Sequence, residues 1–167
     1  MLTAVSHHIL IVGSGDVATA LESISLALDW KPAVVTTLDD VTSRLPDAES
    51  VVVLSHDEQL DGPALAAALT SHASYLSAMG SRRTQARRRE WLLANGVSAE
   101  AMTAIRGPAG LDIGAITPAE IAVSIIAEIV AHRRGATDTD ALSARSGPIH
   151  PDAVPGSIAC PGDTTTP

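Results

Sequence analysis

Phenylalanine is missing from this 167-residue chain, and its aromatic complement is one tyrosine and two tryptophans. A core of ordinary size must therefore be packed with Val, Ile, Leu and Ala, which suits a parallel sheet covered on both faces. The same scarcity counts against single-stranded nucleic-acid binding, which leans on aromatic stacking platforms. Bases are few as well: 11 Lys and Arg against 19 Asp and Glu give a formal charge of −8, a poor balance for a general nucleic-acid binder. Cysteine occurs once, at Cys160, so no intrachain disulfide and no cysteine cluster for zinc or iron–sulfur is possible. His7, His8, His72, His132 and His150 lack ligand spacing, and no metal site is expected. No basic segment followed by an apolar stretch marks a signal peptide. No run approaches the roughly 20 apolar residues that cross a bilayer. A cytoplasmic protein is the expectation, with neither nucleic acid nor a membrane as partner.

What the chain does have is 46% hydrophobic residues, arranged as alternating strand and helix patterns. Strands are expected at Ile9–Val12, Ala33–Thr37, Ser50–Leu54, Tyr75–Ala78 and, more briefly, Ala104–Arg106. Helices are expected at Asp16–Asp29, Asp39–Leu45, Pro63–Leu69, Arg82–Ala94 and Ile121–His132. Repeated βα units with short links imply an α/β fold, a doubly wound, Rossmann-like parallel sheet with right-handed crossovers. The common strand order 3-2-1-4-5 is the expected one. Residues 1–135 form this domain. After Gly135 the chain turns rich in Pro, Gly, Ser, Thr and Asp, and residues 136–167 read as a disordered tail.

The most informative stretch is Leu10-Ile11-Val12-Gly13-Ser14-Gly15-Asp16-Val17-Ala18. A buried strand ends in a Gly-x-Gly-x-x-Ala turn that opens a helix. In that setting Gly13 makes the tight turn, Gly15 leaves space where a ligand would lie, and Ala18 lets helix and strand approach. A phosphate would then rest on the free N–H groups at the helix N-terminus. A tight turn without a ligand would look the same.

Three further loops compete for that crevice. Strand 4 ends at Met79-Gly80-Ser81-Arg82-Arg83, and in the expected order its turn lies beside that of strand 1. Arg82 and Arg83 begin a helix whose positive pole disfavours cations, a conflict that a bound anion would resolve. Ser81 also suits an N-cap. Strand 3 is followed by Ser55-His56-Asp57 and then Asp61. His56, with Asp57, is a candidate for general acid–base work; alternatively the acids cap the next helix and His56 bonds to backbone. Gly110 and Asp112, in the loop Gly107–Gly114, are candidates to line the crevice, although a structural turn would share that composition. Thr117-Pro118-Ala119-Glu120 reads as a capping box with proline at the first helical position, which accounts for it without a ligand.

Taken together, these residues resemble the Rossmann-like domain of the XdhC/CoxI family, accessory proteins of xanthine dehydrogenase and related molybdenum hydroxylases. The resemblance rests on Ile9–Ala18, Val51–Leu69, Tyr75–Arg83 (YLSAMGSRR) and Arg106–Ile129, with GSRR and GLDIGA-x-TPAEIA its most specific parts. It implies a maturation protein that binds molybdenum cofactor, including its cytosine dinucleotide form, and helps to deliver it to a molybdenum hydroxylase apo-enzyme. It implies a carrier more than a catalyst. The cofactor-binding residues are then Gly13, Ser14, Gly15, Ala18, Gly80, Ser81, Arg82, Gly110 and Asp112. Longer members carry a cysteine-bearing N-terminal domain. Here the first strand starts almost at Met1, so a separate XdhC/CoxI N-terminal-domain chain is an expected partner, and a homodimer is left open. The glycine turn alone supports an alternative, an NAD(P)-dependent oxidoreductase, for which Asp39 is the nearest acid to the tip of strand 2. A second alternative is a ligand-free docking module.

Overall fold

A computed structural model describes residues 6–136 and 139; most of the polar tail, with His150 and Cys160, lies outside them. The elements run β1 (His8–Val12), α1 (Asp16–Ala27), β2 (Lys31–Val35), α2 (Leu38–Arg44), β3 (Ser50–Val53), α3 (Glu58–Leu69), β4 (Tyr75–Ala78), α4 (Arg82–Ala94), β5 (Ile105–Arg106) and α5 (Pro118–Arg133). The five strands form one sheet in which every pair is parallel. This is the α/β, Rossmann-like class that the alternating pattern predicts.

Alternate residues of the central strands feed two cores. Leu10, Val12, Val51 and Val53 pack with Val41 of α2, Leu60, Ala64 and Leu65 of α3 and Leu92 of α4. Ile9, Ile11 and Val52 turn to the other face, against Ala18 and Leu21 of α1 and Ala122, Ile125 and Ile129 of α5. Burial on both faces is what makes these strands continuous apolar runs.

The strand order is β2-β1-β3-β4-β5, not 3-2-1-4-5. The connection through α2 crosses back over β1, so β3 pairs with β1 in the register Leu10↔Val51. Pro32 gives the physical reason. It has no N–H to donate and is tolerated at an edge, where β2 needs only one partner. Lys31 is exposed on the same strand, whereas all four residues of β3 are buried, and a charged edge also deters further strand pairing. In the expected order those environments would be exchanged.

Helix α3 begins five residues before Pro63. Asp57 caps it, accepting from the Gln59 N–H at 2.9 Å, and Pro63 lies inside the helix. The capping box on α5 forms as read: Thr117 Oγ1 accepts from the Glu120 N–H at 3.3 Å, and Glu120 Oε2 accepts from the Thr117 and Ile116 N–H groups at 2.8 and 2.9 Å. Those two backbone donors hold the Glu120 carboxyl below its ordinary pKa.

The N-terminal edge of the sheet is closed by packing. His7 is buried, with Nε2 2.9 Å from Ser50 Oγ and its ring edge-on to Trp30 at 4.5 Å. Burial, and next the nearby charge of Arg133, pull its pKa down to about 4 against an opposing pull from Glu49.

Candidate functional site

In an open α/β sheet, ligands bind off the carboxyl ends of the strands where the order reverses. Here that point lies between β1 and β3. The turn after β4 is therefore not adjacent to the turn after β1: β3 stands between them, which separates the two by roughly 10 Å.

Gly13 and Gly15 serve different ends. A Cβ on Gly13 would stand 2.8 Å from the Ser55 backbone nitrogen, and its φ is +126°. This turn is pressed against the start of the β3 loop, which only glycine allows. Gly15 also has a positive φ, +101°, but a Cβ there would meet nothing within 4 Å. It is the N-cap of α1, and no side chain caps that helix. The first turn thus presents backbone N–H groups to open space, the arrangement that receives anions. Ser14 and Asp16 are exposed beside it, and Asp16 is the acid of the first turn. Ala18 is 2% exposed within the core, where its small size serves helix–sheet approach.

His56 and Asp57 follow β3 at the same edge, both exposed. Asp57 is committed to capping α3, and its own N–H donates to Ser55 Oγ at 3.0 Å. The acid half of the proposed pair is therefore accounted for by local structure.

At the β4 turn, Ser81 caps α4 by accepting from the Thr84 N–H at 3.2 Å. Arg82 and Arg83 are exposed in a first turn that holds no acid. The adverse placement of cations at the positive pole is therefore real in three dimensions.

Gly110 is tied to α5. Its N–H donates to Glu128 Oε2 at 2.8 Å, and a Cβ would strike Ser124 Oγ. The Leu111 N–H donates to the Ser124 carbonyl at 3.2 Å. The loop is thereby fastened along α5, and the preceding Ala109 N–H donates to the Ala78 carbonyl at 3.1 Å, at the carboxyl end of β4. Glu128 also accepts from the Tyr75 hydroxyl at 2.7 Å; burial above all raises the Tyr75 pKa. Asp112 is exposed on the same loop. The acid nearest the tip of β2, Asp39, belongs to the first turn of α2.

Sequence reasoning missed one group. Arg88 is 5% exposed and paired with the equally buried Asp61 at 2.7 Å. The signal was available: Arg88 and Leu92 share one helical stripe, as do Asp61, Leu65 and Ala68. Among the described residues no group of His, Cys, Asp and Glu is arranged to hold a metal ion, and no helix is long and apolar enough to cross a membrane.

Comparison with known proteins adds to this geometry. A family model described as the XdhC Rossmann domain matches residues 9–129. The chain is similar to the molybdenum cofactor insertion chaperone PaoD of Escherichia coli strain K12, with 31% identity over 127 residues, 75% of this chain and 40% of that protein. Among solved structures it resembles one described as a xanthine dehydrogenase from Bacillus halodurans. The TM-score is 0.61 at 21% identity, over 82% of this chain and 45% of that one. That second likeness is one of fold. The chain spans less than half the length of either relative.

Proposed function

The chain belongs to the XdhC Rossmann-domain family, and from that premise we propose that it takes part in the maturation of molybdenum hydroxylases of the xanthine or CO dehydrogenase type. It holds molybdenum cofactor, or a related nucleotide, as cargo for an apo-enzyme. The relative PaoD is a molybdenum cofactor insertion chaperone, which supports the reading. The observation that carries it is the uncapped N-terminus of α1, opening into free space at Gly15 beside the β1/β3 reversal.

A phosphate of the cargo sits on the first-turn N–H groups of α1, held by the helix dipole. Arg82 supplies a second anion contact roughly 10 Å across the edge. An extended ligand such as the cytosine dinucleotide form bridges that span better than a single phosphate does. His56 lies between the two anchors along the edge, within the cargo's path. The protein in this reading is a carrier in the cytoplasm. Its partner is the apo-enzyme, and a homodimer is compatible with that.

Titration of the full chain with released molybdenum cofactor, followed by fluorescence of the oxidised pterin, tests the proposal. Saturable retention that weakens roughly tenfold, or about 1.4 kcal/mol, in Arg82→Ala is the expected result. Absence of retention by the wild-type chain would overturn it. The oxidoreductase alternative places its weight on a ribose contact at the tip of β2. Val35 is followed there by two threonines before any acid.

A further inference from the structure

Of the five arginines on α4, four are exposed and one, Arg88, turns inward. Four of its five guanidinium N–H donors are engaged. Nε and Nη2 donate to Oδ2 of Asp61 at 2.9 and 2.7 Å; Nη1 donates to the Met79 carbonyl at 2.6 Å and Nη2 to the Ser55 carbonyl at 2.9 Å. Ser55 opens the loop after β3, and Met79 immediately precedes Gly80. One planar group therefore ties together the carboxyl ends of two strands and the first turns of α3.

Stability alone explains this poorly. A buried ion pair is often no better than a well-packed apolar pair of the same volume. Asp61 Oδ1 meets no donor among the described residues, and Asp61 lines a cavity of about 50 Å³ together with Glu58, Gly62, Arg87, Arg88 and Trp91. What no apolar pair can do is hold two strand-end carbonyls at fixed separation, and a rigid fork of five N–H donors does so.

We infer that Arg88 is a positioning residue for the crevice. By fixing the Ser55 and Met79 carbonyls it holds the His56 loop and the Gly80–Arg82 turn in register with the open amides of α1, and so sets how tightly cargo is held. The affinity part rests on the carrier reading above; the geometric part does not.

The test is Arg88→Lys in the full chain. The ammonium keeps a charge opposite Asp61 but would have to gather all three acceptors around one atom. Amide hydrogen exchange is read at Ser55, bonded to the Val12 carbonyl at 3.1 Å, and at Met79, bonded to that of Val53 at 2.8 Å. The Lys31 amide, bonded to the His7 carbonyl at 2.8 Å on the opposite edge, is the reference. The expected result is roughly tenfold faster exchange at Ser55 and Met79 with Lys31 unchanged, together with a roughly tenfold loss of affinity for released molybdenum cofactor. Unchanged exchange at Ser55 and Met79 would overturn the inference, as would equal acceleration at Lys31, which marks a merely global role. Unaltered affinity in a variant whose loops have loosened would overturn the affinity part. If the wild type itself retains no cofactor, the carrier reading fails and the exchange data still decide the positioning role. Should Arg88→Lys not fold, the double replacement Arg88→Met with Asp61→Leu removes both charges and uses the adjoining cavity, and the same readings apply.

Discussion

Helices α1 and α5 lie side by side over one face of the sheet, yet α5 closes its first turn with its own side chains and α1 closes it with none. Thr117 and Glu120 satisfy the first amides of α5 reciprocally. At α1 the same positions hold Gly15 and Ala18, which have nothing to offer. With glycine at the N-cap, α1 forgoes roughly a few tenths of a kcal/mol relative to a capping side chain. Within one domain, then, the chain demonstrates the stable solution and leaves it unused at the point where the strand order reverses. In the carrier reading proposed above, that open turn is the place for the anion of the cargo.

The comparison is broken most severely at the glycine that supports the open turn. Gly13→Ala drives a methyl group into the Ser55 backbone at a positive φ, and a loss of about 3 kcal/mol in urea-denaturation stability is expected. Gly15→Asp gives α1 the kind of carboxylate that α5 already has. Binding of released molybdenum cofactor should then fall by about 100-fold, or about 2.7 kcal/mol, because the new charge occupies the anion's place. Its folding free energy should fall by less than that of Gly13→Ala: both positions carry the strain of a positive φ, but at Gly15 no atom lies within 4 Å of the new Cβ. Unaltered binding in Gly15→Asp would remove α1 from the site.

Thr117→Ala removes the α5 cap. Denaturation should show a loss of about 1 kcal/mol, and cofactor titration should show no change. The smallest effect separates the two termini by pH. The folded Glu120 carboxyl titrates below its ordinary value of 4.5, so its contribution is present above that value and is lost as pH falls through the folded pKa. Exchange of the Thr117 and Ile116 amides should accelerate over that descent, whereas the first turn of α1 has no such pair to lose. Site-resolved exchange is needed, because His7 at the far edge costs stability on acidification between about 6.5 and about 4.

How much of this was legible depended on whether the signal was local. The alternation of strand and helix, the Arg82–Ala94 helix and the capping box at Thr117 are set by neighbours in sequence, and each forms as read. The strand order is set by which strand must lack a second partner. Its one clue in the sequence is Pro32, which lacks the N–H that a second partner strand would use. The apolar pattern places the start of α3 at Pro63, five residues late; the alternative in which an acid caps the helix is the one that forms, with Asp57 as the cap. At the site, the roles of Gly13, Gly15 and Ala18 follow from a local turn. Arg88 with Asp61, and Gly110 with Glu128, are pairings across 27 and 18 residues. Only the inward stripe of each helix hints at the first, and composition could not distinguish the second from a ligand loop.

One feature of the edge strand bears on how the protein can be handled. Lys31, the chain's single lysine, is exposed at the amino end of β2, in register with His8 and at the opposite edge from the glycine turns. Apart from the chain's terminal amine, an amine-reactive tether can take hold only there. A surface coupled through that side chain would display every copy in one orientation, with the crevice facing outward to the solution and free to capture what flows past it.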